Sequence, residues 1–170
     1  MITPPPSPHS RLAGAAADWI SSGFGSGYAR VAPGTVGSAA ALLFWLMLSW
    51  FGLLHSPRDT LILAVGTTVV GTLAVRASLR GRREDDPGWI VIDEWAGLFL
   101  ALAGTSGADL LMAGMAFGVF RLFDVAKPGP VAWAERLPGA LGVMADDIIA
   151  GALACLVVQA AWILARAALA

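Results

Sequence analysis

The sequence predicts an all-α fold, a polytopic membrane helical bundle of four to five membrane-associated helices with a functional site at the cytoplasmic interface. Three observations carry that expectation. Of 170 residues, 57% are hydrophobic and 14% charged, and the mean hydropathy is +0.72, which is greasier than an ordinary water-soluble domain. The apolar residues gather into five runs, roughly residues 36–54, 61–75, 90–103, 110–123 and 148–165, each a helix candidate. The unusual polar residues cluster at the ends of those runs.

Residues 1–22, opening "MITPPPSPHSRLAGAAADW", are proline-rich and lack the continuous apolar core of a cleaved signal peptide. They read as a flexible or surface-lying lead to a single membrane domain over residues 23–170. The first run follows "APGTVGS", where Pro33 and Gly34 shape a turn and Thr35 can cap a helix whose first amides face an anion. The second run ends in "RGRREDD", read as a solvated loop. The third is entered through "IVIDEWAG", the fourth leaves through "FRLFDVAKPGP", and the fifth is entered through "GVMADDIIAG". Only the first and last runs are long enough to cross a hydrocarbon core of about 30 Å unaided.

Basic residues set orientation, because they are retained on the cytoplasmic side. With five spans and a cytoplasmic N-terminus, Arg11, Arg30, Arg76, Arg80, Arg82, Arg83, Arg121, Lys127 and Arg136 share one face, leaving Arg58 and Arg166 on the other. The same assignment brings all four polar clusters to that face. The formal net charge of -1 gives no footprint for nucleic acid, so the expected partner is lipid. Cys155 is the single cysteine and sits in an apolar run as packing.

Asp146 and Asp147 can be read as helix-starting caps. Asp93 and Glu94 resist that reading, because Ile90, Val91 and Ile92 carry them toward the lipid boundary, where an ionisable group costs about 2.5–3.5 kcal/mol. Such acids need a counterion. Asp93 and Gly97 are four residues apart, as are Asp147 and Gly151, so each acid has a glycine one turn along its own helix face. Two helices crossing at those glycines bring Asp93, Glu94, Asp146 and Asp147 together, with Asp124 arriving from the end of the fourth run. Carboxylates without histidine or cysteine favour a hard cation such as Mg²⁺. Arg121 and Lys127 can serve as membrane anchors, but cations beside such a centre and beside the Gly34-Thr35 turn point to a bound phosphate.

Other chemistries find no residues. His9 and His55 are isolated, so no Ser-His-Asp triad assembles. Cys155 has no arginine six positions on, and "GFGSGYA" lacks the lysine of a P-loop and the strand of a dinucleotide fold. An ion-coupled membrane transporter also carries intramembrane acids, though spread along a path through the midplane, and a non-catalytic membrane assembly protein needs no cation. Residues alone leave both classes open.

Together and in this order, "APGTVGS", "IVIDEWAG", "FRLFDVAKPGP" and "GVMADDIIAG" resemble the phosphatidylglycerophosphatase A family of bacterial lipid phosphatases. The resemblance covers most of the chain after about Gly23. It implies an all-helical, Mg²⁺-dependent enzyme of the bacterial inner membrane that hydrolyses the terminal phosphate of phosphatidylglycerophosphate, leaving phosphatidylglycerol, with its site facing the cytoplasm. By position it marks Asp93, Glu94, Asp124, Asp146 and Asp147 as catalytic and metal-binding, and Thr35, Arg121 and Lys127 as phosphate-binding. Arg30 departs from the pattern, where relatives often carry proline shortly before this stretch.

Overall fold

Each apolar run becomes a helix, and the residues at its ends decide where it starts and stops. The computed structural model describes residues 8–82, 84, 86–105 and 109–168. Among them are seven α-helices, one short 3-10 turn at Ser26–Tyr28 and no strand: α1 (Pro8–Ser21), α2 (Pro33–Trp50), α3 (Pro57–Ser78), α4 (Ile92–Leu102), α5 (Leu110–Ala126), α6 (Gly129–Ala134) and α7 (Ala140–Ala168). Proline opens α2 and α3 at the first helical position, where its missing N–H costs nothing. The Ser56 side chain accepts the Asp59 amide while Asp59 reaches back, a reciprocal cap for α3. Asp109 accepts the amides of Leu111 and Met112 at the start of α5, and Lys127 ends that helix in a left-handed conformation (φ 44°), with Pro128 blocking any continuation.

Two elements differ from the sequence reading. Residues 8–21 of the lead form α1, which lies against α3 through a Ser21–Ser78 hydroxyl contact at 3.2 Å, with an Arg82–Asp18 ion pair at 2.7 Å just past the end of α3. Helix α7 begins at Ala140, eight residues before its apolar run, so Asp146 and Asp147 stand in its second turn and do not cap its start. The sequence hides this because Asp146 and Asp147 interrupt the apolar pattern, so the continuous apolar run begins only at Ile148.

Three helices, α2, α3 and α7, are long and apolar enough to cross a membrane, against the four to five membrane-associated helices expected. Length separates them: α4 has 11 residues, about 16 Å, and α5 has 17, about 25 Å, against a core of about 30 Å. The three long helices leave Leu43, Met47, Val65, Leu73, Leu156 and Leu164 exposed, as side chains facing lipid tails would be. Helix α4 is the opposite. Nine of its eleven residues are buried, and α2, α3, α5 and α7 all pack against it.

The tightest meeting is between α4 and α7. A Cβ on Gly97 would collide with the Asp147 carbonyl, and one on Gly151 with the Gly97 carbonyl, so the two backbones touch where neither residue has a side chain. On another face of α4, Trp95 and Phe99 form an edge-on aromatic pair at 5.9 Å with Phe44 of α2 tilted against both. The starts of α2, α4 and α7 and the ends of α3 and α5 share one end of the bundle. Glu94 fills the space beside Gly34, Lys127 bonds Asp146, and Arg121 reaches Thr35. At the far end, the Trp45 indole donates to the buried Thr60 hydroxyl at 3.0 Å, tying α2 to α3.

Candidate active site

The site begins with the glycine crossing. Because Gly97 and Gly151 let the helix axes approach, the acids one turn before them converge: Asp93, Glu94 and Asp147 each offer a carboxylate oxygen, and these oxygens lie within 4.8 Å of one another. Asp93 and Asp147 are buried, and the Glu94 side chain is 13% exposed. Asp93 Oδ1, Glu94 Oε2 and Asp147 Oδ1 have no hydrogen-bond partner despite burial. Burying an ionised carboxylate unpaired is costly, and three carboxylates clustered this closely offer a donor set for a hard divalent cation.

Arg121 forms the next layer. Its Nη1 donates to Asp124 Oδ2 three residues along α5 and to Ser38 Oγ at 3.4 Å, its Nη2 donates to Thr35 Oγ1 at 3.3 Å, and Glu94 Oε1 lies 3.9 Å away. One guanidinium thus links α5, α2 and the acid cluster, a use of its fixed fork that an ammonium cannot copy. Thr35 is not the cap of α2, as its sequence position implied. The N-cap is Ala32, held left-handed (φ 47°) and offering no side-chain acceptor, so no side chain caps the start of α2, where Gly34 lies beside Glu94 and Arg121.

Lys127 occupies the opposite flank. Its Nζ donates to Glu135 Oε1 at 2.6 Å and to Asp146 Oδ2 at 3.0 Å, while Asp146 Oδ1 accepts the Asp147 amide at 3.0 Å. Burial works against the ammonium's charge, but the hydrogen bonds to Glu135 and Asp146 outweigh it and hold Lys127 protonated above the ordinary lysine range.

The eight residues marked by sequence therefore sort into three groups at one end of the bundle. Asp93, Glu94 and Asp147 form the cluster with open oxygens; Asp124 is bound to Arg121 with Thr35 beside it; Asp146 is bound to Lys127. Sequence reasoning missed Ser38 and Glu135. Ser38 lies four residues after Gly34, whose carbonyl its hydroxyl also bonds at 2.8 Å, and that spacing within "PGTVGS" was the available signal. Glu135 reaches Lys127 only because α6 folds back, which no periodicity reveals.

Comparison with known proteins decides the family. The family model described as phosphatidylglycerophosphatase A matches residues 19–162. The chain belongs to the phosphatidylglycerophosphatase A family. A phosphatidylglycerophosphatase A of Escherichia coli strain K12 is 33% identical over 132 residues, covering 77% of this chain and 74% of the relative. One from Haemophilus influenzae is 35% identical over 140 residues, 81% of this chain and 83% of that protein. A Bacteroides thetaiotaomicron relative named a putative phosphatidylinositol-3-phosphatase is 34% identical over 154 residues, 85% of this chain and 93% of its own length. No solved structure matches. The span matched to the phosphatidylglycerophosphatase A family takes in all eight marked residues together with Ser38 and Glu135.

Proposed function

We propose that this chain is a lipid phosphatase that hydrolyses the terminal phosphate monoester of phosphatidylglycerophosphate, giving phosphatidylglycerol and inorganic phosphate, in a bacterial inner membrane with the site facing the cytoplasm. The carrying observation is the cluster of the Asp93, Glu94 and Asp147 carboxylates, whose Glu94 lies 3.9 Å from Arg121, which in turn reaches Thr35 at the start of α2. Such an arrangement suits a phosphorylated headgroup lying over the end of the bundle while its acyl chains stay in the bilayer. A monoester on a lipid headgroup is also the class implied by the name of the Bacteroides relative, so phosphatidylinositol 3-phosphate is the comparison substrate.

The orphaned oxygens of Asp93, Glu94 and Asp147 fit Mg²⁺, and these three residues would hold it. When bound, the ion supplies Lewis-acid polarisation of the phosphate and a more acidic water. The remaining roles belong to side chains. Arg121, steadied by Asp124, and the first amides of α2 with Thr35 receive phosphate oxygens, and Lys127 receives another from the α7 side. Water attacks phosphorus, the bond from phosphorus to the headgroup oxygen breaks, and the leaving oxygen takes up a proton from solvent water. Asp146 keeps acceptor capacity beyond its bonds to Lys127 and the Asp147 amide, and it takes the proton of the attacking water.

Phosphate release from pure phosphatidylglycerophosphate in mixed micelles, with and without EDTA and with restored Mg²⁺, tests the reading. Release that EDTA abolishes and Mg²⁺ restores is expected, together with slower turnover of phosphatidylinositol 3-phosphate. Absence of release with Mg²⁺ present would return the transporter and assembly classes to the front.

A further inference from the structure

We propose that Glu135 is a positioning residue for Lys127, fixing the ammonium so that one of its N–H donors stays available to a phosphate oxygen. The proposal deepens the phosphatase reading of the same site and rests on it for the identity of the anion.

The geometry begins with the chain's single lysine, since its other ten cationic residues are all arginine. Lysine is a compact charge on a flexible four-carbon stem, so it needs holding where arginine's planar fork orients itself. Here it is held from two sides. An ammonium has three donors; Glu135 Oε1 takes one at 2.6 Å and Asp146 Oδ2 another at 3.0 Å, leaving the third. Asp146 is fixed by α7, its side chain only 11% exposed. Glu135 is 51% exposed, yet its backbone is anchored: Val131 and Ala134 of α6 are fully buried, and Glu135 is the residue that closes that helix. The left-handed turn at Lys127, then Pro128 and the six residues of α6, return the chain so that Glu135 meets the side chain eight residues before it. Without Glu135, Lys127 has one carboxylate partner, and its stem swings onto Asp146.

The test uses the purified full chain with Glu135→Gln and Glu135→Asp, and two readings. One is the acylation rate of the Lys127 amine by an amine-selective ester at a single pH, read at the Lys127 peptide by mass spectrometry. The other is the steady-state kinetics of phosphate release from phosphatidylglycerophosphate. Glu135→Gln should speed Lys127 acylation and raise KM about 3- to 10-fold, as for loss of one partly exposed charge-assisted bond, with kcat little changed. Glu135→Asp should recover most of both. A folded Glu135→Gln with unchanged acylation and KM would overturn the proposal. So would equal loss of thermal stability and activity in both variants, which marks a merely structural residue. Faster acylation in Glu135→Gln with no phosphate release by the wild-type chain would leave the positioning intact and sink the substrate assignment instead.

Discussion

Asp147 carries more of the site than any other acid, because its backbone carbonyl meets Gly97 across the helix crossing while its side chain faces Asp93 and Glu94. Replacing it with asparagine keeps the volume and removes the charge. Asp147→Asn should insert and fold normally yet lose turnover beyond the roughly 10- to 100-fold that an outer partner of a metal ligand costs; phosphate release and helical circular dichroism on one preparation check this. Wild-type turnover would remove Asp147 from the centre. Arg121→Lys is the companion experiment. An ammonium cannot serve Asp124, Ser38 and Thr35 at once, so KM should rise by about tenfold, the cost of one charge-assisted bond. At this scale the residues of the candidate site were conspicuous in sequence, because acids beside apolar runs are expensive. What stayed hidden was the division of labour: adjacent acids such as Asp146 and Asp147 point about 100° apart on a helix, and only three-dimensional neighbours show that one meets Lys127 while the other joins the cluster.

Among the elements, the crossing of α4 and α7 was the most readable feature, from two acid-to-glycine spacings of four. It is also the most sensitive. Gly97→Ala or Gly151→Ala drives a methyl group into backbone rather than into a flexible side chain, so each should cost about 1–3 kcal/mol and move the carboxylates apart. Gly66→Ala in α3 is the control: nothing lies within 4 Å of a Cβ there, and alanine should gain about 0.5–1 kcal/mol from helix propensity. Thermal unfolding in detergent with parallel turnover measures both, and equal behaviour of the three variants would contradict a contact-limited crossing. Helices α1 and α6 were not legible. The apolar content of α1 is diluted by its Pro-His-Ser-Arg start, and α6 has six residues, too few for a 3.6-residue period to repeat twice.

For the whole molecule, the shared end of the bundle translates into a labelling pattern. In a Cys155→Ser background, cysteine at Arg82 or at Lys127 should resist a membrane-impermeant thiol reagent in intact cells and react after the cells are opened, whereas cysteine at Arg58, in the first turn of α3, should react from outside. External labelling of the first two would contradict a cytoplasmic site. Helix α4 has a further consequence, one of time. It is enclosed by α2 and α3, made before it, and by α5 and α7, made after it. At about 5–20 residues per second, the stretch from Gly97 to Gly151 takes roughly 3–10 s to emerge, and through that interval Asp93 and Glu94 lack the helix that gives them their third carboxylate. A chain arrested after residue 139 should therefore hold α4 in an open waiting state, with Asp93 modified by a water-soluble carbodiimide that the finished protein excludes.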